Sequence, residues 1–81
     1  VYVVGQVNRS GEFSINRFVD IVPAISMAGG TTPFAQLDNI KVLRREGATQ
    51  IAIPFAYGDI AAGKRLQQNI VLKPGDTVLV P

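Results

Sequence analysis

Neither cysteine nor histidine occurs in these 81 residues. Without cysteine the fold has no disulfide and no thiolate metal site, a usage that suits cytoplasm and periplasm alike. Without histidine, a serine–histidine triad, a histidine general base and every histidine-ligated metal site are excluded. Charge is sparse as well: 8 Lys and Arg with 6 Asp and Glu make up 17% of the chain. A net charge of +2 permits weak attraction to acidic polymers. It falls short of the clustered basic face of a nucleic-acid binder. Arg44-Arg45 and Lys64-Arg65 are the only adjacent basic pairs, and both read as solvated surface. No apolar run approaches the ~20 residues that a membrane-spanning helix needs. Neither a signal peptide nor a lipid-attachment cysteine is visible.

What is present is apolar. At 47% hydrophobic residues the chain is globular and the length of one small domain, residues 1–81, with a single core. The low charge fraction admits two readings: surface covered by neighbouring domains or subunits, or an ordinary small and rather apolar domain. Both ends consist of strand-like text. The expectation is therefore a module cut from a longer protein, whose localisation signals lie elsewhere in the parent.

In the first segment Val1, Val3, Gly5 and Val7 share one face of a strand, and Tyr2, Val4 and Gln6 the other. Asn8 to Gly11 supplies a turn, since Asn and Ser favour local side-chain bonds and Gly permits positive φ. Phe13 and Ile15 alternate with Glu12, Ser14 and Asn16 as a second strand, completing a hairpin. Phe18 to Ala28 reads as the one helix, with Asp20 placed to cap it and Pro23 as its third residue, where a missing N–H costs little. Gly29-Gly30 ends that helix, one of the two left-handed. Residues 40–45 and 49–55 form a second hairpin around Glu46-Gly47, with Pro54 at an edge or strand end. Residues 56–71 read as an irregular crossing with one helical turn. Pro74-Gly75 then turns the chain into a last strand, Thr77 to Val80. The order β-β-α-β-β-(irregular)-β predicts an α+β fold: a mixed sheet of four to five strands with one short helix on one face.

No residue set offers catalysis. Ser10, Ser14 and Ser26 are turn, strand and helix residues. The carboxylates Glu12, Asp20, Asp38, Glu46, Asp59 and Asp76 scatter among turns, caps and a strand face, without the shared cleft that paired-carboxylate hydrolysis needs. Residues 58–64 match G-x-x-x-x-G-K, but Arg65 stands where Ser or Thr must ligate Mg²⁺, and no convincing helix follows. The reading is a chain with no catalytic residue, no metal site and no cofactor. Aromatic and basic residues remain as binding candidates, because sugars stack their C–H faces on rings and hydrogen-bond to Arg and Asn. Tyr2 and Tyr57 lie off the expected core faces and Phe34 in the loop after the double glycine, whereas Phe13, Phe18 and Phe55 read as core.

The segments Val3-Val4-Gly5-Gln6-Val7, Gly11-Glu12-Phe13, Ala28-Gly29-Gly30, residues 40–45 and the closing Leu72-Lys73-Pro74-Gly75-Asp76-Thr77-Val78-Leu79-Val80-Pro81 occur in an informative order. Across nearly the whole chain that order resembles the soluble-ligand-binding β-grasp (SLBB) domain of bacterial outer-membrane polysaccharide export proteins. Ser10 stands where Pro commonly precedes the turn glycine, and Pro23 interrupts the helix text; both suit the fold. The resemblance implies a β-grasp layout and a non-catalytic structural and binding role on the periplasmic side of the outer membrane. There, rings of subunits pass capsule or exopolysaccharide. Implied partners are other copies of the parent subunit, with the polysaccharide as a further candidate. Contact with the membrane would come only through the rest of the parent, and no nucleic acid is implied. The alternative is a small-ligand-binding module in an unrelated parent, such as a respiratory flavoprotein subunit or a DNA-uptake protein. Candidate contact residues are Arg9, Phe34, Arg44, Arg45 and Tyr57, with the loops Asn8 to Ser10 and Thr31 to Gln36. Gly11, Gly29, Gly30, Pro74 and Gly75 are expected to shape turns and the helix stop.

Overall fold

The expected alternation at the start of the chain holds at Val1, Val3 and Val7 but breaks at Gly5, which is exposed and ends the strand, the Val7 N–H donating back to its carbonyl at 2.8 Å. In the computed structural model, which describes residues 1–14, 19–65 and 68–81, Val1, Val3 and Val7 are buried while Tyr2 and Gln6 are exposed. Strand β1 (Tyr2–Gly5) pairs antiparallel with the two-residue β2 (Gly11–Glu12), Tyr2 lying opposite Glu12. The pairing extends by one further rung, since the Phe13 N–H donates to the Val1 carbonyl at 2.8 Å and the Val1 nitrogen to the Phe13 carbonyl at 3.0 Å. Beyond this, the expected second strand lies outside the described residues at Ile15 and Asn16. Phe13 is half-buried against the core rather than within it.

The second hairpin consists of β3 (Ile40–Glu46) and β4 (Thr49–Phe55), paired in register from Ile40 opposite Phe55 to Glu46 opposite Thr49. Gly47, at φ +61°, starts its two-residue turn, one position beyond the expected centre. β5 (Thr77–Val80) enters between the two hairpins, parallel to β1 and antiparallel to β3. The sheet order is β2-β1-β5-β3-β4, a five-stranded mixed sheet of β-grasp type. Pro54 sits on edge strand β4, where its missing N–H removes little.

Helix α1 (Ile21–Met27) buries Ile21, Ala24 and Ile25, and Ala28 continues the stripe one turn on. That spacing of three and four residues aims one face at the sheet. Asp20 occupies the N-cap position with extended backbone, but its side chain makes no capping bond; its backbone bridges to Val71 instead. Pro23 is the third helical residue, as expected; Phe18 lies outside the described residues. The helix ends in a Schellman motif: the Gly30 N–H donates to Ile25 O and the Gly29 N–H to Ser26 O, each at 3.0 Å. Both glycines are left-handed, at φ +80° and +83°, where the sequence led us to expect one. A short α2 (Tyr57–Ala61) supplies the single turn expected in the irregular crossing.

The core lies between α1 and one face of the sheet. Its fully buried side chains include Val3, Ile21, Ile40, Val42, Phe55, Val78 and Val80. Two substitutions test the helix stop. A Cβ at Gly29 would come within 3.2 Å of Asn8 Cβ, whereas one at Gly30 meets nothing. Gly30→Val should therefore cost only the left-handed penalty, about 1–2 kcal/mol, and Gly29→Val distinctly more. Urea unfolding midpoints decide; equal midpoints for both variants and the parent sequence would contradict the motif.

Candidate functional site

The expected contact residues separate to opposite ends of the sheet. Where β1 and β5 finish, the Asn8-Arg9 turn folds over the end of α1. The Arg9 N–H donates to Ala28 O at 2.8 Å, Asn8 N–H to Gly30 O at 3.1 Å, and the Asn8 side-chain amide to Gly29 O at 2.6 Å. The Arg9 guanidinium reaches Met27 O at 3.4 Å, so its charge sits at the negative end of the helix. Arg9 is thus a helix-terminus residue in this structure. The neighbouring loop is tied down too: Thr32 bonds Gln6 through both backbone and side chain, and its hydroxyl accepts the Phe34 N–H. This loop presents Phe34 to solvent at 81% exposure.

Tyr57 stands apart at the start of α2. Its ring is half-buried and packs edge-on against Phe55 at 6.2 Å, so it belongs partly to the core rather than to an open surface. The phosphate-loop-like text does not form the strand–loop–helix that binds nucleotides, because α2 lies inside the motif rather than after it. Arg65, where a Mg²⁺-ligating hydroxyl would stand, pairs with Asp59 at 3.1 Å.

At the other end of the sheet, Lys73-Pro74-Gly75-Asp76 forms a type II turn, closed by the Asp76 N–H to Lys73 O at 3.0 Å with Gly75 at φ +88°. Asp76 is the one buried charged residue in the described core, 2% exposed. Its Oδ2 accepts from Arg44 Nη2 at 2.7 Å and from the Lys73 N–H at 2.8 Å, while Arg44 Nε donates to Oδ1 at 3.1 Å. Arg44 Nη2 also donates to Val71 O at 3.1 Å, binding three segments together. Asp76, as hydrogen-bond partner, holds the Arg44 pKa above its ordinary value against the opposing effect of burial. Arg44 was read from sequence as solvated surface; with its side chain 12% exposed, it is instead half of a structural ion pair. Sequence reading missed the role of Asp76, whose partner lies 32 residues away. The only local signal was an acid immediately after Pro-Gly.

Arg45 points the other way, onto the sheet face opposite α1. Strand registers place Tyr2, Thr77, Leu43 and Ala52 in one row of that face and Val4, Leu79, Lys41 and Pro54 in the next, with Arg45 beside Gln50. None of these ten residues is buried: Val4, Leu43, Thr77 and Leu79 are half-buried and the rest exposed. Tyr2, 43% exposed, neighbours Glu12, whose carboxylate holds the phenol above its ordinary pKa by accepting its hydrogen bond and by charge repulsion. Among the described residues this face of β1, β5, β3 and β4 is therefore apolar at its centre, basic at Lys41 and Arg45, and only partly covered. Such a face offers packing and stacking surface. Among the described residues no cluster of acids could hold a metal, and no helix is long and apolar enough to cross a membrane.

The β-grasp sheet, the double-glycine helix stop and the Pro-Gly-Asp turn into the central strand together account for the matched segments. Comparison with protein families matches the SLBB domain over residues 1–80, and the chain belongs to that family of ligand-binding domains.

Proposed function

We propose that this chain is a non-catalytic module of a capsular or exopolysaccharide export protein on the periplasmic side of the bacterial outer membrane. It works by packing against neighbouring modules in a ring. The observation that carries this reading is the open sheet face, where Val4, Leu43 and Leu79 present partly exposed apolar side chains outside the core cluster. Family membership supports a binding rather than a catalytic role. Ring assembly uses a heterologous interface, in which the open face of one copy meets a different patch of the next. Several weak contacts per ring add by avidity.

Deleting the module from a full-length parent should impair surface polysaccharide and ring formation while leaving the parent's abundance unchanged. Arg44 is unsuited to a surface test because its loss would disturb the fold. Charge reversal at the exposed Lys41 is the milder variant, expected to weaken rings in native gels. Normal rings and normal export from a stably expressed deletion would contradict the proposal and favour a ligand-binding role in another parent.

A further inference from the structure

We infer that the groove beside the Pro74–Gly75 turn takes the carboxylate of an acidic saccharide chain, with the adjoining groove at Tyr2 receiving the next sugar ring. This rests on the polysaccharide reading above and names the class of glycan. The first groove, about 360 Å³, is lined by Arg44, Arg45, Lys73, Pro74, Gly75 and Asp76. The Asp76 carboxylate is already engaged by Arg44 and the Lys73 N–H. Arg45 and Lys73 are exposed and join no ion pair among the described residues, leaving two cations on this groove without a fixed counter-charge. Glu46, the nearest remaining carboxylate in sequence, lies on the Arg44 side of β3 and acts on Arg44. The groove therefore favours an anion, and the Arg44–Asp76 pair ties one of its walls to β3.

Across the same Pro74–Gly75 ridge lies a second groove of about 320 Å³, which also includes Val1, Tyr2, Glu12, Phe13 and Ser14. Gly75 adds no side chain to the ridge, and a Cβ there would meet only open space. The Tyr2 ring supplies a face for sugar C–H groups, and the Glu12 carboxylate and Ser14 hydroxyl can bond hydroxyls. Glu12 repels a second anion here, so the ligand that fits carries its charge on one side of the ridge and neutral hydroxyls on the other. A hexuronate residue linked to a neutral sugar has this pattern; a polyphosphate or nucleic acid, charged at every step, does not.

The test uses the purified 81-residue chain and chemical-shift titration with three probes: a hexuronate–hexose oligosaccharide, a neutral glucose oligomer of equal length, and polyphosphate. The alternating acidic oligosaccharide should shift residues on both sides of Pro74–Gly75, more weakly at higher salt, and bind more tightly than either control. The double variant Arg45→Ala, Lys73→Ala should lose roughly tenfold or more in affinity with its fold unchanged by circular dichroism. Tyr2→Ala should weaken binding without abolishing its salt dependence. Polyphosphate binding as tightly as the oligosaccharide would overturn the inference, as would absent binding or unchanged affinity in the double variant. If uronate binding holds while deletion leaves export normal, the exporter reading fails and this site stands. If export needs the module but uronate does not bind, this inference alone fails.

Discussion

Replacing Asp76 by alanine should cost the fold about 3–5 kcal/mol, the range for stripping one partner from a buried ion pair. The substitution leaves the Arg44 guanidinium, with only 12% of its side chain exposed, beside an empty site in the core wall. It also removes the acceptor for the Lys73 N–H and so loosens the turn that launches β5. Because small domains hold only about 5–15 kcal/mol in all, a large fraction of stability is at stake. Urea unfolding followed by circular dichroism measures it. The double variant Arg44→Met, Asp76→Leu should recover part of the loss, because no buried charge is then left alone. Recovery stays partial, since the Lys73 N–H still lacks its acceptor. A midpoint for Asp76→Ala within error of the parent sequence would show the ion pair to be dispensable.

Gly5→Ala should be comparably damaging, at about 3 kcal/mol or more, from two sources that add. Gly5 sits at φ +99°, and a Cβ built there runs into the Val80 carbonyl oxygen. That oxygen already accepts the Gln6 N–H at 2.7 Å, so it has no freedom to retreat. The clash falls on the parallel β1–β5 pairing at the middle of the sheet, whereas Gly30 borders open space. Gly30→Ala is the matched control, expected to cost about 1 kcal/mol. Equal thermal midpoints for the two variants would refute the close approach at Gly5.

Elements marked by local chemistry were legible in the sequence. The Gly29-Gly30 stop, the Pro74-Gly75 turn and the Ile40–Phe55 hairpin each depend on neighbouring residues, and the structure places them within a residue or two of expectation. The α1 stripe was legible for the same reason, although Asp20 proved a cap by position and not by hydrogen bond. Gly5 carried no comparable mark: its demand for glycine comes from Val80, 75 positions away. Arg44 was misread for the same reason. Basic text on a strand looks solvated until the fold brings Asp76 beneath it. Arg9 and Tyr57 likewise became a helix-terminus residue and a core neighbour through contacts with α1 and Phe55. The open sheet face lay half-hidden, because alternation shows that a strand has two faces but not which of them other elements cover.

On the proposal above, this open face packs against neighbouring modules in the ring. The most direct measurement places Lys41→Glu and Ala52→Glu together in the full-length parent, both at exposed positions that are not paired with each other, and determines ring size by mass photometry of the detergent-extracted protein. Both positions are on the open face and outside the core, so the isolated 81-residue chain should keep its fold and its unfolding midpoint to within about 1 kcal/mol. Rings should nevertheless dissociate to single subunits or small fragments, with surface polysaccharide reduced in the same cells. Intact rings of unchanged mass, from a module shown to be folded and carrying both new charges, would contradict the account.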